Sequence, residues 1–135
     1  MGRSRGGFST KIHISVDALG NPLRFRLTGG ERHDRTEAEA LVVGYQSDYV
    51  IADRSYDADE FIQVVEESGA IPVIPSRRNR KFQRAYDAHL YRERHLVECL
   101  VNKIKHYRRI FSRFEKLDGC YLGFLSFVAT LVWLR

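Results

Sequence analysis

The chain has 135 residues, 44% of them hydrophobic and 29% charged, which suits one globular domain with one core and excludes a disordered tail or a two-domain enzyme. Lys plus Arg number 22 against 17 Asp plus Glu, so the net charge of +5 favours a polyanionic partner. The two cysteines, Cys99 and Cys120, have no CxxC spacing, which excludes a disulfide scaffold and a zinc ribbon.

The charge is unevenly spread. Between Glu31 and Glu67 stand eleven acids against three bases, and between Ser76 and Lys116 thirteen bases against four acids. A nucleic-acid surface is therefore expected from the later segment, where cations can release counterions from phosphates. A solvated helix face is the plain alternative. No apolar stretch follows Met1-Gly2-Arg3-Ser4-Arg5, so nothing marks the chain for export and an intracellular, reduced protein is expected.

Residues 1–10 read as a flexible basic lead-in, because their glycines disfavour regular structure. From Lys11, the alternation of Ile12, Ile14 and Val16 with polar neighbours predicts a half-buried strand. Leu23, Phe25 and Leu27 predict a second, joined to the first as a hairpin through Ala18-Leu19-Gly20-Asn21-Pro22. Thr36 can cap a helix with Glu39 three residues on, ending near Gly44. Tyr49-Val50-Ile51-Ala52 is a strand that delivers Asp53 at its end, and an acidic helix over 58–68 stops at Gly69. Ile71-Pro72-Val73-Ile74-Pro75 is another strand, pushed to a sheet edge by its prolines and parallel to the previous one across the helical crossover.

Residues 76–88 form a basic loop with Arg77, Arg78, Arg80, Lys81 and Arg84. A helix over 89–107 follows, then a basic connector. The apolar helix over 119–134 is read as a buried core helix, because its run of fifteen residues falls short of the roughly 20 that cross a bilayer. On the helix 89–107, Tyr91, Arg94, Glu98 and Lys105 fall within about 60° of one another at roughly 100° per residue. Val97, Leu100, Val101, Ile104 and Tyr107 gather on another sector. By spacing alone that polar stripe reads first as a surface salt-bridge ladder.

The order Tyr91, two residues, Arg94, three residues, Glu98, six residues, Lys105 resembles the signature around the last catalytic acid of bacterial insertion-sequence transposases of the DDE class. Asp53-Arg54-Ser55-Tyr56-Asp57 resembles the family segment that carries the second acid, with Ser55 where glycine is more usual. The lead-in to His13, the segment Thr28 to Asp34, Ile74-Pro75 with the arginines after it, and Arg113-Phe114-Glu115-Lys116-Leu117 are similar to the family as well.

The resemblance implies the C-terminal part of such a transposase, an α/β chain with a partial ribonuclease-H-like mixed sheet flanked by helices. It makes Asp53 and Glu98 the second and third metal-binding carboxylates, with Tyr91, Arg94 and Lys105 positioning DNA or the ligands. Mg²⁺ or Mn²⁺ is the implied cofactor, held by hard oxygen donors for phosphodiester cleavage and strand transfer. The implied partners are element terminal inverted repeats and target DNA, met by Arg77, Arg78, Arg80, Lys81, Lys103, Arg108, Arg109 and Arg113. A homo-oligomer is implied when active, with no membrane and a cytoplasmic, nucleoid-associated location.

The family's first catalytic Asp lies on a central strand upstream of the segment that begins here. Asp17 ends the first visible strand, but its neighbours are turn residues. The isolated chain is therefore expected to be inert and poorly stable, its site completed by an upstream half carrying the first Asp. A non-catalytic DNA-binding or regulatory fragment and a decayed remnant are the alternatives. His13, His33, His89, His95 and His106 lack zinc spacing, the nearest pair being His95 with Cys99. Asp57, Asp59 and Glu60 are expected to serve the helix macrodipole rather than a metal.

Overall fold

The computed structural model describes residues 2–4, 7–29, 37–107 and 118–134. They fall into two compact units, Met1–Arg32 with His95–Arg135, and His33–Arg94. Each unit holds its own apolar cluster, so two cores stand where chain length predicts one.

The first unit is built on a three-stranded antiparallel sheet in the order β1-β2-β3, with β1 at Gly2–Ser4, β2 at Gly7–Val16 and β3 at Pro22–Gly29. The expected alternation appears as facing pairs, Ile12 with Leu27 and Ile14 with Phe25. Asp17 makes the turn: its Oδ1 accepts the N–H groups of Leu19 and Asn21, each at 2.9 Å, and Gly20 takes φ of 84°. That work agrees with a turn residue and not a catalytic acid. The lead-in, expected to lack regular structure, instead pairs with itself through Gly2 with Ser9 and Ser4 with Gly7. Main-chain ladder bonds need no side-chain pattern, so periodicity gave no sign of them.

Two helices cover the apolar face, α4 at His95–Lys105 and α5 at Asp118–Trp133. Leu100 and Ile104 of α4 and Tyr121, Leu125 and Val128 of α5 are buried, packed with Ile12, Ile14, Val16, Phe25 and Leu27. The Trp133 indole N–H donates to the Pro22 carbonyl at 2.7 Å. Only one face of α5 is buried, since Phe127 and Trp133 are exposed, which corrects the expectation of a core helix. On the other face of the hairpin His13 is buried and hydrogen-bonds with Thr28 Oγ1 at 2.7 Å.

The second unit carries a parallel pair, β4 at Tyr49–Ile51 and β5 at Ile71–Val73, joined through α2 at Asp59–Glu67 as the crossover reading requires. Gly69, at φ of 88°, ends α2. Phe61, Ile62 and Val65 of α2 pack with Ile74 and with Ala38 of α1, at Ala38–Val42. Thr36, the expected cap, lies outside the described residues; the observed N-cap, Glu37, makes no side-chain capping bond. The α/β class therefore holds, while among the described residues the strands form two separate sheets, with none pairing to both β2 and β4.

The helix predicted over 89–107 is interrupted. α3 covers Ala88–Tyr91, capped by Asp87, and a 3-10 turn at Arg92–Arg94 precedes α4. A count of 100° per residue cannot be carried through a turn with three residues per revolution. Tyr91 and Arg94 thus fall in the second unit and Glu98 and Lys105 in the first.

Candidate active site

Asp53 follows β4 and caps a 3-10 turn at Arg54–Tyr56. Its Oδ1 accepts the Ser55 N–H at 3.0 Å and a short hydrogen bond from the Ser55 hydroxyl, so Ser55 holds the acid from both its main chain and its side chain. The other oxygen, Oδ2, faces Arg94 Nη1 at 4.0 Å, and the side chain is 42% exposed. An exposed pair at that separation stabilises by about 0–1 kcal/mol. The Arg94 guanidinium carbon lies 5.9 Å from the centre of the Tyr91 ring, and Tyr86 meets Tyr91 edge-on at 5.6 Å. Three of the five residues expected in the catalytic constellation, Asp53, Tyr91 and Arg94, are thereby brought together in the second unit.

Glu98 and Lys105 belong to the first unit, on α4, both exposed. Seven residues apart, they share one side of that helix to within about 20°.

The basic loop has a structure that its composition conceals. Asp57 is 2% exposed, and its carboxylate receives the Arg77 main-chain N–H at 2.7 Å, Arg80 Nε at 2.6 Å and Arg84 Nη2 at 2.7 Å. Burial pushes the Asp57 carboxyl up, but the Arg77, Arg84 and Arg80 hydrogen bonds outweigh it and hold the group below its ordinary value. Asp57 is thus an ion-pair centre and not a macrodipole residue, which corrects the expectation; Asp59 and Glu60 do lie in the first turn of α2. Asp59 also pairs with Arg80 at 2.9 Å.

Of the residues expected to meet DNA, Arg77 donates from Nη2 to the Ser55 carbonyl at 3.2 Å and Arg80 pairs with Asp57, while Arg78, Lys81 and Lys103 are exposed. Arg108, Arg109 and Arg113 lie outside the described residues. Arg84 and Asp57 are the functional neighbours that sequence reasoning missed as partners, being 27 residues apart.

Among the described residues no group of three or more His, Cys, Asp or Glu could hold a metal by itself, and both cysteines are free. The Asp53 carboxylate nonetheless suits a hard cation such as Mg²⁺, which commonly takes one or two protein carboxylates and fills its remaining positions with water and phosphate oxygens. Asp57 does not suit it, because its oxygens are enclosed by guanidinium groups. Among the described residues, no helix is long and apolar enough to cross a membrane.

The transposase DDE domain family matches residues 2–130, so the chain belongs to that family. It is 39% identical over 132 residues to a Brucella ovis protein named as a candidate transposase for insertion sequence element IS6501, covering 94% of this chain and 99% of the relative. A candidate transposase for insertion sequence element IS402 from Burkholderia cepacia is 30% identical over 142 residues, 96% of this chain and 64% of that relative. No solved structure matches the chain.

Proposed function

We propose that this chain is the part of an insertion-sequence transposase that supplies the second and third metal-binding carboxylates, Asp53 and Glu98, for DNA strand cleavage and strand transfer. The observation that carries the reading is the cluster of Asp53, Arg94 and Tyr91, which joins two separately recognised family segments in one unit. Oδ2 of Asp53 is the oxygen open to a cation, because Arg94 stands 4.0 Å from it, beyond hydrogen-bond length, whereas Oδ1 is hydrogen-bonded by Ser55. Arg94 offsets the negative charge of Asp53, and Lys105, about two turns along α4 on the same side as Glu98, presents a cation for phosphate.

A bound Mg²⁺ or Mn²⁺ supplies activation of the attacking hydroxyl and neutralisation of charge at the phosphodiester. The first carboxylate, on the central strand of a ribonuclease-H-like fold, comes from an upstream half, and the isolated chain is inert. The complete enzyme works as a homo-oligomer in the cytoplasm on terminal repeats and target DNA.

The complete transposase, with its upstream half, is expected to cleave element ends in Mg²⁺. Glu98→Gln and Asp53→Asn should each abolish cleavage and leave end binding intact; cleavage that survives either change removes that residue from its role. Arg78 and Lys81, exposed on the loop, are the first residues to test for phosphate contact. Each alanine substitution should weaken binding across sequences and lower the salt slope by about 1.

A further inference from the structure

Asp57 and Arg77 have no part in the chemistry above, yet both touch the turn that carries Asp53. The direction of the Asp53 carboxylate depends on where the Ser55 main chain lies, because the Ser55 N–H and hydroxyl hold Oδ1. The other side of the same turn is grasped by Arg77, whose Nη2 donates to the Ser55 carbonyl at 3.2 Å and Nε to the Arg54 carbonyl at 3.4 Å. Arg77 is itself anchored, since its main-chain N–H donates to Oδ2 of the enclosed Asp57 at 2.7 Å. Asp57 closes the turn from its far end, its own N–H bonding to the Arg54 carbonyl at 3.1 Å. A ring of contacts therefore runs from Asp53 through Ser55 and Arg77 to Asp57 and back along the chain.

Arg80 and Arg84 complete the arrangement by pairing with Asp57 at 2.6 and 2.7 Å. An unpaired carboxylate buried so close to Asp53 would be strained or would draw a cation to itself; two guanidinium groups remove both tendencies. Arg77 differs from Arg80 and Arg84 because its guanidinium meets main-chain carbonyls and, among the described residues, no carboxylate. Guanidinium donors aimed at turn carbonyls hold backbone, whereas a phosphate contact leaves them open to solvent.

We propose that Asp57 and Arg77 are positioning residues, which hold the Arg54–Tyr56 turn so that the Asp53 carboxylate keeps one orientation toward a divalent cation. This rests on the reading of Asp53 as a metal ligand. It assigns Arg77 a purpose different from the phosphate contact that its place in a basic loop suggests.

Two measurements test it. In the full chain, Arg77→Ala should speed amide hydrogen exchange at Ser55 and Tyr56 by about three- to tenfold, the equivalent of one ordinary hydrogen bond. Arg77→Lys, which keeps the charge and one donor direction, should recover part of that protection, and Arg78→Ala should leave it unchanged. In the complete transposase, Arg77→Ala should raise the Mn²⁺ concentration for half-maximal cleavage several-fold. The salt slope of end binding without metal should stay as it is.

Unchanged exchange at Ser55 overturns the proposal. So does an unchanged Mn²⁺ requirement with a salt slope lower by about one phosphate contact, which would return Arg77 to the DNA surface. Cleavage surviving in Asp53→Asn would remove the underlying ligand reading, an outcome that the Ser55 exchange measurement distinguishes from failure of the positioning role of Arg77.

Discussion

The two units are held together by different physics. The first has an apolar core, where Leu100, Leu125 and Val128 are 1%, 0% and 0% exposed and the sheet contributes Ile12, Ile14, Phe25 and Leu27. The second has an apolar cluster that includes Ala38, Phe61, Ile62, Val65 and Ile74, beside a carboxylate enclosed by arginine side chains. Apolar burial tolerates changes of geometry as long as volume is conserved, whereas a buried charge is stable only with its partners in place. The unit that carries Asp53 therefore gains orientation from its ionic centre, at the risk of a sharper response to losing one group.

The strongest way to break this comparison is Asp57→Ala. It leaves Arg80 and Arg84 facing an empty carboxylate site and should destabilise the second unit by about 3–5 kcal/mol, read from denaturant melts followed by amide exchange at Ala52. A loss no greater than that of an exposed ion pair would mean that the second unit is also held by apolar packing alone. Leu125→Ala should come next, costing the first unit about 2–5 kcal/mol through lost transfer energy and a residual cavity. The sole tryptophan, Trp133, reports on that unit by fluorescence.

Acid sharpens the contrast. Because the Asp57 carboxyl is held below its ordinary value of 3.8, its contribution is fully present above that pH. The contribution is lost as pH falls from 3.8 through the lower folded-state value, where the native carboxylate must take up a proton. Amide protection in the second unit should therefore fall with acid over that window, and Asp57→Asn should flatten the fall. A wild-type profile already flat there would contradict the role given to Asp57. The smallest expected effect is Trp133→Phe, which removes the bond to the Pro22 carbonyl. With Trp133 half exposed, water can replace the lost donor, so the change should be about 0.5 kcal/mol, near the low end for one hydrogen bond.

Much of the fold is legible because local rules suffice. Period-two alternation located β2 and β3, Asp17 and Gly20 marked their turn, and a strand-helix-strand order required β4 and β5 to run parallel. The pairing of β1 escaped because main-chain bonds leave no side-chain pattern. The 3-10 turn at Arg92–Arg94 escaped because helical periodicity assumes one uniform twist. At the candidate site, the family segments pointed to Asp53, Tyr91 and Arg94, and the structure adds that Arg94 lies between the other two, 4.0 Å from the Asp53 carboxylate and 5.9 Å from the centre of the Tyr91 ring.

By itself, then, the sequence determined the kinds of elements, the turn residues and the family, since each depends on neighbours a few positions apart. Tertiary structure alone decided which arginines hold Asp57, which lie 20, 23 and 27 residues away along the chain. Composition shows a cationic loop but cannot show where its donors end up; burial of Asp57 selects its partners, because an enclosed carboxylate without them would be too costly to keep.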